Sequence, residues 1–215
     1  MGFSEDTPME SAWRDARIAR IYEGTNEINR MLSVGMLVKK AMKGHVDLLG
    51  PAMAVAEELM GIPSFDIPDY SELFAEEKEM IAKLKKVFLM VAGAAVQKYG
   101  AELESHQQLL MAASDILIEI YMAESTILRT EKLAKKEGEG KVQEQIAMAK
   151  LYLYHAVDIV SQKGKEGIVS FAEGDEQRMM LMGLKRFTKY TNMPNVIGLR
   201  EKIAAKIISE NKYAF

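Results

Sequence analysis

Apolar residues recur at intervals of three and four along nearly the whole chain, which is the spacing of one face of an α-helix. The alternation of apolar and polar residues that is typical of a β-strand is absent from strand-length windows. Long helices joined by short turns favour an antiparallel bundle, so the predicted fold class is all-α. We find no internal repeat and no low-complexity tract that would change this prediction.

The amino-terminal part should hold three helices that are bounded by capping residues, proline or glycine. Thr7 can cap the first helix, because Pro8 suits the first helical position and Glu10 completes a capping box. The glycines at positions 24, 44 and 61 are suited to end the three helices. The predicted ranges are Pro8 to about Tyr22, about Glu27 to Lys43 with Thr25 or Asn26 as its cap, and Pro51 to Met60.

Residues 62–70 are punctuated by two prolines and predict a linker. We therefore divide the chain into three parts, residues 1–44, residues 45–70 and a helical bundle over residues 71–215. The bundle should hold five helices, with a break that includes at most a short helix at residues 164–174. The predicted ranges are Ser71 to Tyr99, Glu104 to Lys136, Val142 to Gln162, Asp175 to Tyr190, and a last helix capped by Asn195 that ends near Glu210.

The apolar stripes predict which side chains form the core of the bundle. On its first three helices the inward positions recur at helical spacing. They are Phe74, Ile81, Leu84, Phe88, Val91 and Ala95, then Leu109, Ala113, Ile116, Ile120 and Ile127, then Ile146, Ala149, Leu153, Ala156 and Val160.

Charge and composition exclude several classes of partner. The chain has 28 Lys and Arg against 31 Asp and Glu, a net charge of −3, so no basic field exists that would attract nucleic acid. It has no cysteine, which excludes disulfides and thiolate chemistry. The segment from Leu48 to Met60 is apolar on one face but carries only acidic charges, Glu57 and Glu58. Membrane contact is therefore not expected.

The motifs of metal and phosphate sites are missing. A di-iron bundle needs Glu three residues before His, and no such Glu precedes His45, His106 or His155. A zinc site is not expected either, because the chain has no cysteine to serve as a ligand. The glycines of Gly138–Lys141 lack the spacing of a phosphate-binding loop and predict a solvated turn. No metal ligand is predicted.

Residues 14–30 form a helix, a Glu23-Gly24 break and a second capped helix. Glu23 is interpreted either as one more solvated glutamate or as a base held near an anionic ligand. The second interpretation rests on the free N–H groups at the start of the following helix, which favour negative oxygen. The residues by themselves leave both interpretations open.

The same segment resembles the signature near the end of the acyl-CoA dehydrogenase catalytic domain. The helices from Ser71 onward resemble, less closely, the extra helical domain of very-long-chain and long bacterial members. The resemblance implies the end of the acyl-CoA dehydrogenase C-terminal helical domain, followed by an antiparallel helical bundle. The matching residues are Gly2-Phe3, Pro8-Met9-Glu10, Arg14-Asp15-Ala16-Arg17 and Ile21-Tyr22-Glu23-Gly24-Thr25-Asn26-Glu27-Ile28.

The resemblance also implies a reaction, a cofactor and partners. Family members use FAD to oxidise an acyl-CoA to the trans-2-enoyl-CoA in fatty acid β-oxidation. Glu23 would be the catalytic base that removes the α-proton, and Gly24 would let the substrate thioester approach the backbone. Thr25, Asn26 and Glu27 would contact FAD. The expected partners are the acyl-CoA substrate, an electron-transfer flavoprotein and a second subunit of a homodimer. The expected location is the bacterial cytoplasm, with a peripheral position at the membrane as the alternative.

The chain begins inside the glycine-rich turn of the family, so we expect a fragment that neither retains FAD nor turns over acyl-CoA alone. Alternatively, the bundle is a module for subunit association with no catalytic role of its own. The charged residues of the first helix are expected to form structural ion pairs rather than to bind CoA phosphates; they are Arg14, Asp15, Arg17 and Arg20.

Overall fold

The computed structural model describes residues 2–61 and 69–212, and all regular structure in these two stretches is helical. Two short 3-10 helices, Gly100–Ser105 and Glu139–Lys141, connect α4 to α5 and α5 to α6. Most of the predicted linker, residues 62–68, lies outside the described residues. The α-helices are α1 Pro8–Ile18, α2 Asn26–Met42, α3 Leu49–Met60, α4 Ala75–Tyr99, α5 Gln107–Glu137, α6 Gln143–Phe171, α7 Gly174–Phe187 and α8 Val196–Glu210.

Helix α5 packs against α6, α4 and α2. Every side chain that was predicted to point inward on α4, α5 and α6 is buried. Leu84, Ile116 and Val160 have no exposed surface at all. Burial of one such aliphatic side chain stabilises the folded state by about 1.5–3 kcal/mol, so these stripes account for the association of the long helices.

Helix α6 differs most from its predicted range, since it continues past Gln162 to Phe171. Gly164 and Gly167 lie inside this helix rather than ending it. An added Cβ at Gly164 would lie 2.8 Å from Leu184 Cδ1, and one at Gly167 would lie 3.0 Å from Val91 Cγ1. Both glycines therefore serve close approach between helices. Helix α6 ends where Lys98 Nζ donates a hydrogen bond to Phe171 O.

Two helix boundaries in the amino-terminal half also differ from prediction. Helix α1 ends at Ile18, four residues before the predicted Tyr22, and turns follow it. Helix α4 begins at Ala75 rather than at Ser71, because Phe74 is in the left-handed conformation with φ 63° and is 2% exposed. The burial of the Phe74 ring offsets the strain of this conformation.

Helices α2 and α3 pack against the bundle. Val34 of α2 and Val55 of α3 are buried in the same apolar core as the residues of α4 to α7. Glu58 of α3 also forms ion pairs with Lys86 of α4 and Arg186 of α7. The division into residues 1–44, 45–70 and 71–215 stays a prediction. None of the helices in the described stretches has both the length and the apolar character to cross a membrane.

Candidate active site

Glu23 lies on the loop between α1 and α2, and its side chain is exposed. Its backbone is in the left-handed region with φ 56°, and Gly24 follows with φ 94°. A non-glycine residue in this region costs on the order of 1–3 kcal/mol, and such residues concentrate at functional sites. The sequence predicted a helix break here, but it did not predict a strained glutamate.

Hydrogen bonds on both sides of Glu23 fix the conformation of this loop. The Asn26 N–H donates to Arg20 O at 3.1 Å and so closes the loop. Asn29 Nδ2 donates to Gly24 O at 2.9 Å. The Thr25 hydroxyl accepts from the Ile28 N–H at 3.2 Å, so Thr25 rather than Asn26 caps α2. The loop is therefore held by α2 itself.

The start of α2 uses most of its N–H groups internally, which differs from the free groups that we expected. The N–H groups of Asn26 and Ile28 are bonded as described above. The pKa of Glu27 lies below its usual value, because its carboxylate accepts hydrogen bonds from its own N–H and from the Thr25 hydroxyl. A carboxylate at a helix start is also favoured by the helix dipole. Within residues 2–61 and 69–212, the N–H of Glu23 has no acceptor.

Of the charged residues on and after α1, Arg14 forms the predicted ion pair, with Glu10 at 3.2 Å. In the described part of the chain, Asp15, Arg17 and Arg20 form none. The prediction of structural ion pairs thus holds for one member of the set. The positive charge of Arg20 contributes instead to the lowered pKa of Glu27, together with that of Arg30.

The residues expected to contact FAD lie side by side at the start of α2. Thr25 and Asn26 are half-buried, and Glu27 is exposed. A cavity of about 10 Å³ between α2, α4 and α5 is apolar and lined by residues such as Val34 and Leu103. It is too small for an acyl chain or a flavin. Thr25, Asn26 and Glu27 do not line this cavity, and their contact with FAD stays a prediction.

A set of six apolar side chains on α1, on the loop and on α2 is half or more exposed, and no residue of α1 is buried. Exposed apolar side chains in such number favour a contact with another part of a protein. The six side chains are those of Trp13, Ile18, Ile21, Tyr22, Ile28 and Leu32.

No group of three metal-ligating side chains occurs among the residues that the structure describes. Two stretches of the chain match models of one family. Residues 83–186 match the model described as "Acyl-CoA dehydrogenase, C-terminal domain". Residues 1–36 match a second model with the same description.

Individual proteins that are similar to this chain are also acyl-CoA dehydrogenases. A probable acyl-CoA dehydrogenase of Bacillus subtilis (strain 168) is 36% identical over 214 residues, which cover 99% of this chain and 35% of that protein. The mitochondrial short-chain specific acyl-CoA dehydrogenase of Bos taurus is 51% identical over 39 residues, 18% of this chain and 10% of that protein. The crystal structure of an acyl-CoA dehydrogenase complexed with FAD from Bacillus anthracis superposes with a TM-score of 0.92 at 39% identity. It covers 100% of this chain and 36% of that one.

The chain therefore belongs to the acyl-CoA dehydrogenase family, of which it carries the carboxy-terminal part. It spans 35% and 36% of the length of the two Bacillus relatives. The resemblance inferred from the signature is confirmed, and so is the all-α fold class with an acyl-CoA dehydrogenase helical domain. The roles of Glu23, Gly24, Thr25, Asn26 and Glu27 stay predictions.

Proposed function

We propose that this chain is the carboxy-terminal part of an FAD-dependent acyl-CoA dehydrogenase in which Glu23 is the base that removes the α-proton. The reaction would oxidise acyl-CoA to trans-2-enoyl-CoA in fatty acid β-oxidation. The observation that carries the proposal is the exposed Glu23 in a strained left-handed conformation, within the segment matched by the family model. On the resemblance alone, we place the reaction in the bacterial cytoplasm.

The chemistry needs two things from this loop. The α-hydrogen next to a thioester is only weakly acidic, so the thioester carbonyl must receive hydrogen bonds as the proton leaves. The Glu23 N–H, which has no acceptor in the described part of the chain, is a suitable donor to that carbonyl. Gly24 has no side chain to obstruct the approach of the thioester to the backbone.

The two hydrogens leave from adjacent carbons. The Glu23 carboxylate takes the α-hydrogen as a proton, and the electron pair of that C–H bond forms the new C=C bond. FAD, when bound, would supply the acceptor for the β-hydrogen and its electron pair. Thr25, Asn26 and Glu27 would hold one edge of the flavin, and an electron-transfer flavoprotein would reoxidise it.

The other walls of the site would come from the part of the enzyme that precedes this chain in its relatives. The exposed apolar side chains, among them Trp13 and Tyr22, support this proposal, because contact with another part of the enzyme would bury them. We accordingly expect the 215-residue chain alone to lack tightly bound flavin and activity. Flavin absorbance that co-purifies with this chain at stoichiometric level would contradict that expectation.

The test is a Glu23→Gln substitution in the complete dehydrogenase, with formation of 2-enoyl-CoA as the readout. Glutamine keeps the shape of the side chain but cannot take a proton, so turnover should fall by about 10²- to 10⁴-fold. Glu5→Gln is the matched control, because Glu5 is an exposed glutamate of the same segment. Full activity in Glu23→Gln would remove Glu23 as the base.

A second function is association of subunits through the bundle. Four apolar side chains are exposed at helical spacing on one face of α5, namely Ile118, Tyr121, Met122 and Leu128. We propose that this stripe contributes to a homodimer. Sedimentation of the chain should then show a dimer that Tyr121→Lys dissociates, while Lys185→Glu, a change of charge at an exposed position of α7, leaves it intact. A monomer at all concentrations would exclude this role.

A further inference from the structure

Arg30 of α2 and Asp115 of α5 form a direct ionic hydrogen bond. Arg30 Nε donates to Asp115 Oδ1 at 2.6 Å, across 85 positions of the sequence. Arg30 belongs to the segment matched at residues 1–36, and Asp115 belongs to the segment matched at residues 83–186. The contact therefore joins the part that carries Glu23 to the helical bundle.

The same guanidinium group reaches back to the beginning of its own helix. Arg30 Nη1 donates to Asn26 O at 3.2 Å. The Asn26 N–H in turn donates to Arg20 O at 3.1 Å. Glu23 lies inside the loop that this last hydrogen bond closes. A continuous series of polar contacts thus runs from Asp115 to the two ends of the Glu23 loop.

On the bundle side, Asp115 is itself held in place. Lys163 Nζ of α6 lies 3.9 Å from Asp115 Oδ2, and it also pairs with Glu166 at 2.8 Å. One turn further along α2, Ser33 and the fully buried Ser114 share a hydrogen bond of 2.9 Å. The contact between α2 and α5 therefore has a defined register.

We propose that Asp115 is a positioning residue, which acts through Arg30 to hold the first turn of α2 and thereby aims Glu23 at the substrate. The proposal rests on the proposed function of Glu23 as the base. A left-handed glutamate persists only where its surroundings fix it, and Asp115 supplies one part of the support that comes from the bundle. The bundle thus has a role in catalysis through the contact of Asp115 with Arg30.

The effect on catalysis should exceed the effect on stability. The Arg30 and Asp115 side chains are 32% and 22% exposed, so solvent screens part of their attraction. Proton transfer, in contrast, depends steeply on distance, and a misplacement of about 1 Å can cost about 100-fold in rate. A small shift of the α2 start is therefore expected to appear in kcat.

The test compares Asp115→Asn with Glu131→Gln in the complete dehydrogenase. Glu131 lies on the same helix, is similarly covered at 18% exposure, and pairs with Lys78 of α4 at 2.8 Å. We expect Asp115→Asn to lower kcat by about tenfold relative to Glu131→Gln. The KM for acyl-CoA and the flavin content should stay within about twofold, because the residue touches neither ligand.

Arg30→Lys is a second variant that tests the same link. Lysine keeps the charge opposite Asp115 but has no second nitrogen to reach Asn26 O, so kcat should fall as it does in Asp115→Asn. Asp115→Glu, which keeps the carboxylate, should recover part of the rate. If Asp115→Asn fails to fold, a normal kcat in Arg30→Lys overturns the proposal.

Glu23→Gln in the same protein distinguishes failure of the proposed function of Glu23 from failure of the positioning role of Asp115. Dehydrogenation that survives Glu23→Gln overturns the proposed function, and the positioning role falls with it. If Glu23→Gln abolishes dehydrogenation while Asp115→Asn matches Glu131→Gln in kcat, then only the positioning role is overturned.

Discussion

Gly164 of α6 and Leu184 of α7 touch so closely that a Cβ on Gly164 would lie 2.8 Å from Leu184 Cδ1. The same added atom would lie 3.2 Å from Val87 Cγ1 of α4. Leu184 and Val87 are both buried, at 3% and 0% exposure, so a shift of either side chain would disturb its packed neighbours. Three helices therefore meet at a position where an added Cβ would force Leu184 to shift.

Gly164→Ala should destabilise the chain by about 1–2 kcal/mol, because overpacking outweighs the gain in helix propensity. Gly35→Ala is the matched control. Gly35 also lies inside a helix, α2, but an added Cβ there would meet nothing within 4 Å. That variant should gain up to about 1 kcal/mol. Urea unfolding measures both, and equal stabilisation by the two substitutions would contradict the proposed close contact.

The helical fold was accessible from the sequence, while the close contacts were not. Apolar spacing placed the inward residues of α4, α5 and α6 correctly, since periodicity is a local property. Gly164 was predicted to lie in a break, because glycine usually weakens helices. Its presence inside α6 depends on Leu184 of another helix, which no local pattern reveals.

In the candidate site, too, the sequence predicted the local features but not the contacts between distant residues. The break at Gly24 follows from residue type alone, and residue type also limited the cap to Thr25 or Asn26, of which the structure has Thr25. The left-handed Glu23 depends on the closure of the loop between Arg20 and Asn26, which local propensity does not specify. Arg30 and Asp115 are 85 positions apart in the sequence, and no sequence motif predicts their contact.

Glu58 of α3 forms ion pairs with the bundle, and the second prediction concerns their contribution to stability. Its carboxylate pairs with Lys86 at 2.6 Å and with Arg186 at 3.2 Å. The three side chains are each about one-third exposed, so screening reduces the contribution of the pairs. Glu58→Gln should lower the free energy of unfolding by about 1 kcal/mol, whereas Glu57→Gln on the exposed side of α3 should have little effect.

Salt provides an independent check of the Glu58 prediction. Thermal or urea unfolding at low and at high ionic strength should show that the difference between Glu58→Gln and Glu57→Gln shrinks as salt is added. A difference that is absent at low salt would show that the two ion pairs do not stabilise the docking of α3.

Tyr152 gives a prediction for alkaline pH. Its hydroxyl donates to Glu119 Oε2 at 3.0 Å. Burial raises the pKa of Tyr152 to about 12, and the hydrogen bond to Glu119 adds to the rise. The unfolded chain, with a tyrosine pKa of about 10, loses the proton first. The stability that this protonated hydroxyl contributes is therefore complete below about pH 10 and is lost as pH rises toward about 12.

Tyr152→Phe should weaken this alkaline loss of stability. The free energy of unfolding, measured in urea between about pH 9 and pH 11, should decline less steeply with pH in Tyr152→Phe than in the parent chain. Some decline remains, since burial also raises the pKa of Tyr190. Tyr22→Phe is the control, because Tyr22 is 57% exposed. Identical slopes in all three proteins would disprove the assignment to Tyr152.

The central claim is that Glu23 removes the α-proton, and a single turnover tests it most directly. The complete dehydrogenase, loaded with FAD, is mixed with acyl-CoA without oxygen or any other electron acceptor, and the bleaching of the flavin absorbance is followed. Because Glu23→Gln cannot accept the proton, bleaching should slow by about 10²- to 10⁴-fold while flavin and substrate remain bound. Bleaching at the parent rate in Glu23→Gln would contradict the account.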